Sequence, residues 1–228
     1  MKEIGFIGAY DKTDIILSVA KVLAMAGRKV LVLDRTITQK CKYVVPVISP
    51  TRSYVTSYEN IDVAVGFEDT EQLKQYLGLE ENENLDYDFF IVDTDSFKGL
   101  ASFRLQAAYK LYFVTSFDSY SLKKGIEILS QLGVTIHATR VFFSKDMSED
   151  EEEYFNYLSL GMKAIWNDET LYFPLENGDF PAIMENQRFS KIKFSNLSNE
   201  YINNIKFMVN EIDPEIGEKN IRNIIKAL

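Results

Sequence analysis

The sequence Ile7-Gly8-Ala9-Tyr10-Asp11-Lys12-Thr13 joins a short apolar run to a segment with apolar residues on one helical face. A strand–turn–helix passage of this kind is where α/β proteins hold phosphates, because free backbone N–H groups and the helix dipole converge there on an anion. The rest of the chain offers little competing chemistry. His137 is the only histidine and has no cysteine or acidic spacing around it that would make a metal-ligand set. No nucleophile-elbow sequence accompanies it, so a Ser-His-Asp or Cys-His hydrolase is excluded.

The elements that must position this turn follow a strand-then-helix rhythm. Glu3–Gly8 reads as a strand and Lys12–Ala26 as a helix, with Ile15, Ile16, Val19, Ala20, Val22 and Leu23 on its apolar stripe. The almost wholly apolar run Lys29–Leu33 is what a strand covered on both faces must be. Further strands are expected at Ile61–Val65, Phe89–Asp93, Lys110–Thr115, Arg140–Ser144 and, briefly, Leu171–Phe173. Helices fall between them at Asp69–Leu77, Gly99–Ala108 and Ser119–Leu132, and Glu80–Asp86 reads as a solvated acidic connector. Ser148 and Glu151 form a capping-box pattern, which makes the acidic run after them the start of a helix over Glu149–Leu160. Helices at Asn199–Ile212 and after Pro214 complete the chain. The fold class is α/β, a doubly wound and mainly parallel sheet with helices on both faces, expected as one domain over 1–228.

The turn resembles the deviant Walker A motif, K-G-G-x-G-K-[ST], of the MinD/ParA family of P-loop ATPases. Gly8, Lys12 and Thr13 keep their places in it. Other segments resemble the family in order: VLVLDRT, with Asp34; YDFFIVDTD, a Walker B strand ending at Asp93; AAYKLYFVTSFDSYSLKKG; and the late segment NDETLYFPLENGDFPAIMENQRFS. The likeness covers nearly the whole chain and is closest to the pilus-assembly branch represented by TadZ and CpaE. It implies that Gly8, Ala9, Tyr10, Asp11, Lys12, Thr13 and Asp14 face a nucleotide, with Lys12 on the β and γ phosphates. Thr13, Asp34 and Asp93 would hold Mg²⁺, and Asp34 and Asp93 would serve catalysis if the protein hydrolyses ATP.

Departures from the pattern point the other way. Ile7 stands where the family has its signature lysine, and Ala9 and Asp11 replace glycines. A carboxylate about 4 Å from a γ phosphate at an effective dielectric of about 20 costs roughly 4 kcal/mol, about three decades of affinity, unless a cation offsets it. Thr36, Asp95 and Ser144 replace, in turn, a second Asp, a Pro and an adenine-reading Asn. ATP and Mg²⁺ binding is therefore expected to be weak or lost, and turnover slow or absent.

Three readings of the function stay open. The leading one is a positioning or scaffold protein of a membrane-associated machine for pilus assembly or secretion, with protein partners from that machinery. A slow Mg-ATP-hydrolysing dimeric switch is the second. A DNA-partition ATPase is the least favoured, because the net charge of −9 repels a polyphosphate backbone. Tyr43, Tyr54, Tyr58 and Arg52 fall in an irregular stretch suited to a protein interface. The tail 214–228 reads as a basic amphipathic helix with Ile221, Ile224, Ile225 and Leu228 on one face and Lys219, Arg222 and Lys226 off it. Two roles fit that tail: peripheral contact with an anionic membrane, as MinD-type proteins make, or packing on its own domain. A lone Cys41, no apolar run near 18 residues and the opening MKEIGF together predict a cytoplasmic location, at or near the inner face of the membrane.

Overall fold

The computed structural model describes residues 1–48, 51–80, 82–175 and 178–228. One residue of the acidic connector, Glu81, and two of the late segment, Glu176 and Asn177, lie outside the described residues. In chain order the elements are β1 (Lys2–Ile7), α1 (Thr13–Met25), β2 (Val30–Asp34), α2 (Cys41–Val44), β3 (Tyr54–Tyr58), β4 (Ile61–Val65) and α3 (Thr70–Tyr76). They continue with β5 (Phe89–Thr94), α4 (Phe97–Ser102), β6 (Lys110–Thr115), α5 (Ser119–Ser130), β7 (Ile136–Phe142) and α6 (Glu149–Ser159). The last are β8 (Ala164–Tyr172), α7 (Asp179–Phe189), α8 (Asn199–Ile212) and α9 (Glu218–Ala227).

The eight strands form one sheet in the order β3-β4-β2-β5-β1-β6-β7-β8, parallel throughout except for β3, which runs antiparallel on the outer side of β4. The three consecutive strands β2, β5 and β1 are apolar and buried along most of their length, as strands packed on both faces must be. One face is covered by α1, α8 and α9, whose Val19, Val22, Ile205, Val209, Ile221 and Ile225 share a core with Ile4, Val32 and Ile91. The other is covered by α3 to α6 through Leu73, Leu100, Leu129 and Phe155. Because β1, β2 and β5 are adjacent and parallel, their C-terminal ends deliver the β1–α1 turn, Asp34 and Asp93 to the same rim of the sheet.

Several elements depart from the sequence reading for local physical reasons. β3 falls in the stretch read as irregular; Tyr54 and Tyr58 are its buried positions, Val55 packs on the other face and Ser57 is exposed. β8 is nine residues long rather than three, since an edge strand with partly exposed faces carries Asn167, Asp168 and Glu169 without cost. β7 begins earlier than Arg140, its first residues pairing with β8 and His137 facing solvent. The helix expected over Gly99–Ala108 breaks at Arg104, which sits at φ +51° between α4 and a 3₁₀ turn. α7 carries Pro181 in its first turn, where a missing N–H is tolerated. The capping box at α6 forms as expected: Glu151 accepts from the Ser148 N–H at 2.9 Å while Ser148 caps the Glu151 N–H.

The C-terminal tail takes its core role. Ile221 and Ile225 are 1% and 6% exposed and pack with α1 and α8, and Ile224 and Leu228 close over the same cluster. This corrects the expectation of peripheral membrane contact through Ile221, Ile224, Ile225 and Leu228, because the apolar face is spent inside the molecule. Lys219, Arg222 and Lys226 face solvent, together with Glu218, Asn220 and Asn223. Among the described residues no helix is long and apolar enough to cross a membrane.

Candidate phosphate-binding site

Gly8 leaves β1 at φ +139°, and a Cβ there would stand 1.9 Å from the Val114 carbonyl oxygen, so only glycine fits. Its N–H donates to the Thr94 carbonyl at 3.0 Å, which anchors the turn to β5. Beyond it the N–H groups of Ala9, Tyr10, Asp11 and Lys12 have no hydrogen-bond partner among the described residues. Such a run of free donors at the start of α1 is a cradle for an anion, even though Ala9 and Asp11 stand where the motif has glycines. A cavity of about 430 Å³ opens above it.

Lys12 curls back under the turn. Its ammonium donates to the Gly8 carbonyl at 2.8 Å and lies 2.7 Å from Asp93 Oδ1, an ion pair without the alignment of a hydrogen bond. Both side chains are almost fully buried. Burial pushes the Asp93 carboxyl up to about 7; Lys12 pulls it down and the Asp34 and Asp11 carboxylates add to the rise.

Asp34 does not line the cavity. Its Oδ1 accepts from the Thr36 N–H at 3.0 Å and hydroxyl at 2.6 Å, and its Oδ2 accepts from the Cys41 N–H at 2.9 Å. Two oxygens so engaged organise the entry to α2. Asp34 thus reaches the site from behind the stretch after β2 rather than from the cavity wall. Thr13 and Asp93 do line the cavity, together with Thr36, Asp95 and Tyr43. Asp95 receives the Ile37 N–H on both oxygens at 3.0–3.1 Å and so ties the stretch after β2 to the end of β5.

Asp11 faces the cavity from the turn, with its charge already engaged. Oδ1 accepts from the Thr13 N–H at 3.1 Å, and Oδ2 meets the Lys40 ammonium at 2.6 Å. Burial raises this carboxyl, yet Lys40 and the Thr13 N–H hold it below the usual carboxylate range. Lys40 also contacts Asp14 at 2.8 Å. Burial lowers the lysine, and the Asp14 and Asp11 carboxylates outweigh it, leaving it above the usual lysine value. Asp14 in turn accepts from Gln187 of α7 at 2.9 and 3.1 Å. The unscreened repulsion expected from Asp11 is therefore reduced, because the carboxylate is half exposed and paired.

Sequence reasoning passed over Lys40, since its partners lie 29 and 26 residues away and no local pattern announces it. It also passed over a second cavity of about 300 Å³, which shares Tyr10, Asp11, Lys12 and Lys40 with the first and is walled by Phe143, Leu175, Phe180 and Met184. Tyr10 stacks on Phe143 at 4.4 Å along one side of it. Ser144, next in the chain, lines neither cavity and donates to the Asp146 carbonyl. Ile7 is fully buried among the α3–α6 side chains and offers no cation to the site. The aromatic cluster divides: Tyr54 and Tyr58 are core, while Tyr43 and Arg52 are exposed.

No family model and no curated protein matches this sequence. Solved structures do match its shape along nearly the whole chain. The MinC:MinD cell division protein complex of Aquifex aeolicus aligns with a TM-score of 0.57 at 13% identity, over 92% of this chain and 96% of that one. A ParA family ATPase from Chlorobium tepidum TLS gives 0.53 at 14%, over 99% and 96%. A putative plasmid partition protein from Borrelia burgdorferi B31, bound to AMPPNP, gives 0.51 at 14% over the full length of both. The fold is that of the MinD/ParA-like P-loop ATPases.

Proposed function

We propose that this chain is a MinD/ParA-like positioning or scaffold protein that binds a nucleoside triphosphate weakly and turns it over slowly or not at all. The observation that carries the reading is the β1–α1 turn. Its unpaired N–H groups, with Lys12 and Thr13, open into a cavity large enough for a triphosphate, and the adjoining apolar cavity suits a planar ring. Thr13 and Asp93 are the residues that would hold Mg²⁺, which would supply charge neutralisation at the phosphates.

The same geometry argues against efficient hydrolysis. Phosphoryl transfer relies on cations placed around the transferred group and on an oriented nucleophile. Here Lys12 is tied to Asp93, Asp34 is tied to Thr36 and Cys41, and the position of the signature lysine is a buried isoleucine. The work left to such a protein is binding, in the cytoplasm at the inner face of a membrane, to components of a pilus-assembly or secretion machine. Tyr43 and Arg52 are the exposed residues of the expected interface. A slow ATP-driven dimeric switch is the second reading, favoured by the placing of Lys12, Thr13 and Asp93 on one cavity wall.

Phosphate release from Mg·ATP separates the two. The scaffold reading expects turnover far below about one per second. Turnover at any rate that is abolished by Lys12→Ala and coupled to ATP-dependent dimerisation would establish the switch instead.

A further inference from the structure

Lys12 and Lys40 are the cations on the wall of the phosphate cavity, against the carboxylates of Asp11, Asp93 and Asp95. The two lysines differ in what it takes to release them. Lys12 and Asp93 are 2% and 3% exposed, and parting them would strand a charge in the interior. Lys40 is 27% exposed, and its partners Asp11 and Asp14 are 52% and 24% exposed, so water can take over either side of those pairs.

Asp11 meanwhile uses the two kinds of donor that a phosphate uses: a backbone N–H at the start of α1 and an ammonium. It is an internal anion standing at the mouth of the cradle. Lys40 reaches it from the stretch after β2, whose stem is fixed by the Thr36–Asp34 and Ile37–Asp95 hydrogen bonds. Its ammonium also lies on the wall common to both cavities, where the polyphosphate end of a nucleotide would meet the ring end.

We infer that Lys40 is the second phosphate-holding cation of this site, stored on Asp11 and Asp14 until a polyphosphate takes their place. The inference rests on the nucleotide reading above. It gives this chain an intramolecular cation, carried by the stretch after β2, in a site whose position 7 supplies none.

A rival role for Lys40 is simple neutralisation of Asp11 and Asp14, and a change of background separates the two. In Asp11→Asn/Asp14→Asn the two carboxylates that pair with Lys40 are gone. Titration of Mg·ATP and of inorganic tripolyphosphate into that background, followed by calorimetry, should show affinity falling about ten- to a hundredfold when Lys40→Met is added. Lys40→Arg should keep most of the affinity, and unchanged far-ultraviolet circular dichroism would show that the folds are intact. Equal affinity with and without Lys40→Met would overturn the inference and leave the nucleotide reading standing. Failure of both the wild-type chain and the background to bind either probe would overturn the nucleotide reading, and this inference with it.

Discussion

The β1–α1 turn and the C-terminal helix α9 answer the same question in opposite ways. In the turn the residue pattern is eroded, with Ile7, Ala9 and Asp11 out of place, yet the backbone still presents a row of unpaired N–H groups over a cavity. In α9 the pattern is strong, with four apolar residues at helical spacing and three basic ones beside them, yet the face it suggests is buried against α1 and α8. Anion binding at a turn depends mostly on backbone geometry, which one glycine at position 8 and the strand–helix frame secure. An amphipathic stripe says only that one face is covered, and the neighbouring helices decide by what.

The largest effect expected from this contrast is at α9. Ile221→Glu puts a carboxylate into the core and should cost about 4 kcal/mol or more of stability, read from urea unfolding. Liposome co-sedimentation should show no apolar anchoring by the wild-type chain at any salt. A folded, equally stable Ile221→Glu would remove α9 from the core.

A smaller effect belongs to the buried pair beneath the turn. The Asp93 carboxyl stands at about 7, above the ordinary 3.8 that it takes when the chain unfolds, so the folded state holds the proton more tightly. The stability that this supplies is fully present below about pH 4 and is lost as the pH rises to about 7, a change of a few kcal/mol. Stability measured across that window should fall less steeply in Asp93→Asn. An unchanged slope would mean that Asp93 ionises as an exposed carboxylate does.

At the mouth of the turn the expected effect is smaller again. Asp11→Gly removes a paired, half-exposed carboxylate and should strengthen Mg·ATP binding about tenfold, rather than the three decades that an unpaired charge would give. No gain would show that Asp11 does not compete with phosphate. The smallest effect is at α6, where the sequence rule and the structure agree: Ser148→Ala should cost about 1 kcal/mol, visible as a lowered melting temperature.

What was legible in the sequence follows the range over which each signal acts. Buried parallel strands announce themselves in five or six residues, and β4 and β6 fall where their apolar runs place them. The Ser148 cap is settled within four residues. Lys12, Thr13 and Asp93 line the cavity, and Gly8 opens the turn just before it. The misses are long-range. Lys40 is drawn to Asp11 and Asp14 across almost thirty residues, which no local pattern encodes. β3 and the start of β7 were hidden by solvent-facing polar residues that sit comfortably on one side of a strand.

The central claim is that the eroded turn still binds a triphosphate. Calorimetric titration of Mg·ATP into the wild-type protein and into Lys12→Ala tests it most directly. The account predicts saturable one-site binding by the wild type, with a dissociation constant of roughly 10⁻⁵ to 10⁻³ M, lost in Lys12→Ala while the protein stays folded. No binding by the wild type at millimolar ATP, or equal binding by the two proteins, would contradict it.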